Sequence, residues 1–149
     1  MIDGVRIKEL KIITDERGRL MEILRCDDEI FKKFGQVYIT TALRGAVKAW
    51  HYHKLQTDNF CCIFGKICLT LYDSRENSAT FKSINEFILS TELPRLIQIP
   101  NLVYHGFKGI SQNESIVVNI PTEPYNRQTA DEYRIDPYEN DIPYNWKEK

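Results

Sequence analysis

Gly45-Ala-Val-Lys-Ala-Trp-His51-Tyr-His53-Lys-Leu-Gln-Thr-Asp58 runs from a glycine through two histidines, one residue apart, to an acidic residue, with six further residues before Gly65. Side chains alternate faces along a strand, so His51 and His53 are expected to share one face. Further on, four residues separate Pro100 from His105, the last of the 3 histidines in the chain. All the imidazoles therefore fall in one frame, which unrelated hydrogen-bonded core histidines would have no reason to do. Two chemistries use such a set. His51, His53, Asp58 and His105 offer nitrogens and a carboxylate suited to iron, manganese, nickel or zinc, with positions open for a substrate. Without a metal, a neutral imidazole titrates near working pH and takes a proton from a carbon acid.

Outward from this frame the chain reads as short strands separated by turn residues. Strands are expected near 5–13, 19–24, 36–41, 47–53, 59–64, 66–72, 86–89, 95–99, 105–108 and 115–120. Phe64-Gly65-Lys66 is a tight hairpin, and residues 73–77 form a polar loop. One helix is expected over 27–34, capped by Asp27 or Asp28, with Ile30, Phe31 and Phe34 as its apolar stripe and Gly35 at its end. After Pro121 the composition shifts to Pro, Tyr, Asn and Asp, with Trp146 near the end, as in an extended arm laid over a barrel. Regularly spaced strands in a chain of 149 residues predict one all-β domain over 1–149, a sandwich or barrel enclosing a small ligand.

Composition removes several classes of function. With 20 basic and 21 acidic residues, the chain has no electrostatic footprint for nucleic acid. No stretch is long and apolar enough to suggest a membrane span. The first ten residues lack the apolar block of a secretory leader, which leads to an expected cytoplasmic location. Cys26, Cys61, Cys62 and Cys68 then read as reduced thiols, and their spacing fits no zinc pattern.

The histidine frame resembles the first cupin motif, with Asp58 where glutamate is usual, and Pro100 to His105 resembles the second, with Leu102 where glycine is usual. Cupins are double-stranded β-helix (jelly-roll) barrels. A fuller resemblance is to the dTDP-4-dehydrorhamnose 3,5-epimerase family. It is carried by Asp15-Glu-Arg-Gly-Arg-Leu-Met-Glu22, Gly45 to Tyr52, Tyr72-Asp-Ser-Arg-Glu-Asn-Ser-Ala-Thr-Phe81, Leu89-Ser-Thr-Glu92, Ile99-Pro100, His105-Gly-Phe107 and Ile142-Pro-Tyr-Asn-Trp146.

The resemblance implies inversion of carbons beside the C4 ketone of a nucleotide-linked 4-keto-6-deoxy sugar, without cofactor or metal. It makes His51 the base and His105 a second active-site histidine. Arg17 and Glu22 match positions binding the nucleotide, often from a neighbouring subunit, and Gln36 and Lys48 match substrate contacts. His53, Asp58 and Asn119 complete the expected substrate-contacting set. The family's lysine near the enolate falls at Asp58, and its catalytic tyrosine falls at Asn119. That leaves Tyr38, Tyr104 or Tyr125 to supply the acid, with Tyr125 drawn from the matching segment. A single epimerisation, a metal-dependent cupin (isomerase or oxygenase) and a non-catalytic sugar-binding cupin are the alternatives. A homodimer is expected, because the family exchanges N-terminal strands between subunits.

Overall fold

The computed structural model describes residues 1–148. In chain order the strands are β1 (Arg6–Glu9), β2 (Ile12–Asp15), β3 (Gly18–Met21), β4 (Tyr38–Ala42), β5 (Val47–Tyr52), β6 (Asp58–Phe64), β7 (Lys66–Asp73), β8 (Ile84–Ser90), β9 (Arg95–Ile99), β10 (Val103–Gly109), β11 (Ser115–Asn119) and β12 (Tyr133–Arg134). They form a 5-stranded sheet in the order β1-β9-β6-β11-β4, a second in the order β12-β5-β10-β7-β8, and a separate hairpin of β2 and β3. All named strand pairs are antiparallel. Consecutive strands commonly lie in opposite sheets, the jelly-roll pattern that closes apolar faces on each other.

The main core lies between the two sheets. Phe60, Cys62 and Val117 from one sheet meet Leu69, Leu71, Val103 and Phe107 from the other. Strand β6 is buried on both faces along most of its length, so after Asp58 and Asn59 it reads as an unbroken apolar run, Phe60 to Phe64, rather than an alternating one. Its outward Cys61 packs with Leu96 beneath Leu10 and Ile30. On the second sheet, the C-terminal arm covers Trp50 with Ile142 and Trp146. The expected arm is therefore a structural cover, and its β12 adds a strand to the edge of β5.

The expected helix over 27–34 does not form, and these residues make turns. The carbonyls a helix would use are taken from outside: Gln98 Nε2 donates to Ile30 O at 2.7 Å and Arg6 to Glu29 O at 3.1 Å. Asp28 is engaged by Lys8 and by the Arg25 N–H instead of capping a helix. Ile30 alone of the supposed apolar stripe is buried, while Phe34 faces solvent. An isolated helix this short is marginal in water, and tertiary partners decide the conformation. Among the described residues the helical content is one 3-10 turn, Trp146–Glu148. The strand expected over 5–13 is likewise split. Leu10 turns inward, its N–H donating to Pro94 O at 2.9 Å, and the chain leaves the β9 edge to form the β2–β3 hairpin.

The tight turn at Phe64-Gly65-Lys66 joins β6 in one sheet to β7 in the other. Gly65 has φ 71°, and a Cβ there would lie 2.8 Å from Ser115 Oγ. Both the left-handed backbone and the lack of room call for glycine.

Candidate active site

Strands β5 and β10 pair so that His51 and His105 are direct partners. His53 follows on the same face of the chain leaving β5, and its side chain reaches inward. The ring centroids of His51 and His105 are 4.0 Å apart, and those of His53 and His105 are 5.6 Å apart. Strand β6 of the opposite sheet supplies Asp58, which is 1% exposed. Its Oδ2 lies 3.1 Å from Nε2 of His53 and 3.1 Å from Nε2 of His105. Its Oδ1 accepts from Gln56 Nε2 at 2.7 Å and Asn119 Nδ2 at 2.8 Å. Four donor-bearing groups thus surround one buried carboxylate.

The electrostatics follow from that arrangement. Burial works against the charge on Asp58, but His105 and His53 hold its carboxyl far below the usual range, so it is ionised. Burial also opposes charge on His53, yet the Asp58 carboxylate outweighs it and raises the imidazole above its ordinary value. His51 is the opposite case. Burial, reinforced by His105, pushes it well below the ordinary value, and its main influences are burial and neighbouring charges rather than hydrogen bonds. At neutral pH His51 is a neutral base, while the other two imidazoles are held. His53 Nδ1 meets the Asp131 carbonyl, and His105 Nδ1 donates to the Val103 carbonyl at 3.0 Å.

His51 lines a cavity of about 490 Å³ whose wall includes Phe60 and Phe107 as apolar floor and Lys48 and Arg134 as cations. Arg134 is the cross-strand partner of His51, so the two side chains stand on one face of the sheet. Lys48 Nζ donates to Thr40 Oγ1 at 3.0 Å. A second cavity, of about 610 Å³, holds His53, Gln36 and Tyr125 and shares Tyr38, Glu132 and Arg134 with the first.

The structure thus gathers His51, His53, Asp58, His105, Asn119 and Lys48, and sets Gln36 and Tyr125 in the adjoining space. Tyr125 is 57% exposed there. Arg17 and Glu22 stand apart from the site within the single chain. Arg17 pairs with Asp15 at 2.6 Å on the β2–β3 hairpin, and Glu22 pairs with Arg25 at 3.0 Å. Asp58 contacts His53 and His105 and leaves His51 without a carboxylate partner.

Sequence reasoning missed Asp131, Gln56 and Arg134. Asp131 accepts from the backbone N–H groups of Lys54, Leu55 and Gln56 at 2.8, 2.9 and 3.0 Å, clamping the turn between His53 and Asp58. No periodicity in the tail announces such contacts across 75 to 77 positions.

The family model described as dTDP-4-dehydrorhamnose 3,5-epimerase matches residues 1–149. The chain belongs to this family. It is 38% identical over 140 residues to the probable low-salt glycan biosynthesis epimerase of Haloferax volcanii, covering 93% of this chain and 89% of that one. It is 34% identical to a spore coat polysaccharide biosynthesis protein of Bacillus subtilis, covering 98% and 97%. The crystal structure of a dTDP sugar isomerase from Desulfovibrio desulfuricans superposes with a TM-score of 0.93 at 31% identity, covering 98% and 92%. The fold is therefore the family's cupin-type barrel, and the chain is an epimerase-family isomerase of sugar biosynthesis. Asp58 and Asn119, which the resemblance sets at the family's lysine and tyrosine positions, are hydrogen-bonded to each other.

Proposed function

We propose that this protein inverts a carbon next to the C4 ketone of a dTDP-linked 4-keto-6-deoxy sugar by removing and returning a proton. One observation carries this reading: His51 is a neutral imidazole, without a carboxylate partner, on the wall of a sugar-sized cavity. The ketone acidifies the neighbouring C–H, and a ring nitrogen of His51 takes that proton. Phe60 and Phe107 give the ring an apolar seat, Lys48 offers positive charge for the diphosphate and the developing enolate, and Arg134 adds to it on exchanging its Glu132 partner at 2.7 Å for the substrate. Asp58 would oppose that enolate if its charge faced the cavity, but its four contacts direct the charge into the wall. Incubation with dTDP-4-keto-6-deoxyglucose, followed by NMR, tests this. One or two inverted carbons are expected, and unchanged sugar after extended incubation would sink the reading.

The site supports a homodimer as well. The β2–β3 hairpin projects Ile13 and Leu20 into solvent with Arg17 between them in sequence, and β4 is a sheet edge carrying exposed Ile39. A hairpin crossing to the partner would cover these residues and bring Arg17 to the partner's nucleotide. Sedimentation should give a dimer, and Arg17→Ala should raise KM with little change in kcat. A monomer at micromolar concentration would exclude the shared site. All four cysteines are free thiols, which supports a cytoplasmic location. Among the described residues no helix is long and apolar enough to cross a membrane.

A second reading rests on the ring nitrogens of His51, His53 and His105, which lie within 4.8 Å of one another. The 3.1 Å spacing of Asp58 Oδ2 from two of them also suits neighbouring donors on one ion with bonds of about 2.1 Å. His105 Nε2, fully buried, has no well-aligned hydrogen bond despite that proximity. These residues would hold a divalent cation that polarises the ketone as a Lewis acid. Elemental analysis of purified protein separates the readings. Metal near one per chain, lost in His53→Ala, favours the ion, and full activity after chelation favours the imidazole alone.

A further inference from the structure

Inversion needs a second group on the face of the sugar opposite the base, and His51 stands on β5 of the second sheet. From the first sheet, Tyr38 and Thr40 of β4 and Phe60 of β6 line the cavity that holds His51, and of these Tyr38 alone carries a titratable proton and lines both cavities. We propose that Tyr38 is the proton donor of the epimerisation, an inference that rests on the reading above and names the residue that completes it.

Hydrogen-bond accounting fixes the phenol. Asn119 Oδ1 accepts from the Asn59 N–H at 3.0 Å, which orients the amide so that its NH₂ faces Asp58 and Tyr38. Nδ2 donates to Asp58 Oδ1 at 2.8 Å and to Tyr38 Oη at 2.9 Å. The Tyr38 oxygen is therefore an acceptor in that contact, and its own proton is committed to no protein partner among the described residues. The phenol is pinned by its oxygen with its O–H free to turn into the cavity. Tyr38 is 39% exposed, and the partial burial of its phenol, with the Asp58 charge behind it, pushes the pKa up to about 12, so the phenol holds its proton at neutral pH.

The arrangement also accounts for the asparagine at the family's tyrosine position. Asn119 and Tyr38 are cross-strand partners in the β11–β4 ladder. The asparagine that the resemblance sets at the family's tyrosine position thus holds a tyrosine on the neighbouring strand. Tyr125, the candidate from sequence, is mostly exposed and lines only the neighbouring cavity. The step balances without a co-reactant. His51 takes the proton from carbon, the C–H electrons pass to the C4 oxygen as the enolate, and Tyr38 O–H protonates the opposite face as the ketone re-forms. The imidazolium and the phenolate then exchange protons with water.

Heavy water separates the two halves of this reaction. In Tyr38→Phe, which keeps the ring, deuterium should still enter the substrate with retained configuration, because His51 can return a solvent deuteron to the same face. The inverted sugar should fall on the order of 10²-fold or more. Equal loss of exchange and inversion would mark Tyr38 as structural and overturn the assignment, as would inversion at the wild-type rate. If Tyr125→Phe shows the uncoupling and Tyr38→Phe does not, the tail tyrosine is the donor. Wild-type protein that neither exchanges nor inverts would overturn the epimerase reading itself, and the assignment with it.

Discussion

At the residue scale the site is a division of labour among imidazoles. Two are tied to Asp58 and one is left as a base, and position in the barrel decides which. His51→Ala should abolish proton exchange, measured by NMR, while leaving the thermal midpoint near wild type. Asp58→Asn leaves Oδ1-type hydrogen bonds available but removes the charge that His53 and His105 face, and breaking such a buried pair costs about 3–5 kcal/mol, readable by denaturant unfolding. Stability should also depend on pH through His53. Its pKa is raised on folding, so its contribution is full below the unfolded value of 6.5 and is lost as pH rises through the folded value. Asp58 is depressed, so its contribution persists at every pH above the ordinary carboxylate range. The thermal midpoint of the wild type should therefore decline from pH 6.5 upward. In His53→Gln that decline should flatten, and an equal slope in both proteins would show that His53 does not carry it. The acid limb of activity belongs to His51 and should lie below pH 6.5, because burial holds that ring neutral.

At the element scale, β5 and β10 must run close enough to place His51 beside His105. Gly106 permits this: a Cβ there would sit 2.2 Å from Ala49 Cβ and 2.7 Å from its Cα. Gly106→Ala should push the two strands apart, costing about 1–3 kcal/mol in unfolding free energy. It should also lower kcat more than it weakens nucleotide binding. The strands were largely legible in sequence because period-two patterning and turn residues mark them, and His51-Tyr-His53 announced a shared face. The turns at 27–34 were not legible. Their helix-like spacing is local, whereas Gln98 and Arg6, which take the carbonyls, come from distant strands.

At the scale of the whole molecule, the C-terminal arm links stability to the site. Trp146 is 1% exposed and its ring packs at a tilt 5.0 Å from that of Trp50, the neighbour of His51, while β12 upstream carries Arg134 to the cavity. Trp146→Ala should cost about 3–5 kcal/mol and loosen the arm, so that kcat falls along with the unfolding midpoint. The family was legible from the ordered motifs over the chain, and the meeting of the three histidines with Asp58 was legible from their shared frame. The clamp by Asp131 and the placing of Arg134 were not, since a tail of Pro, Asn and Asp carries no period from which a contact could be read. The central claim, proton removal from carbon by His51, is tested most directly by deuterium wash-in from heavy water into dTDP-4-keto-6-deoxyglucose with chelator-treated protein. The account predicts label at one or two sugar carbons with the wild type and none with His51→Ala. Absence of label with the wild type, or unchanged labelling in His51→Ala, would contradict it.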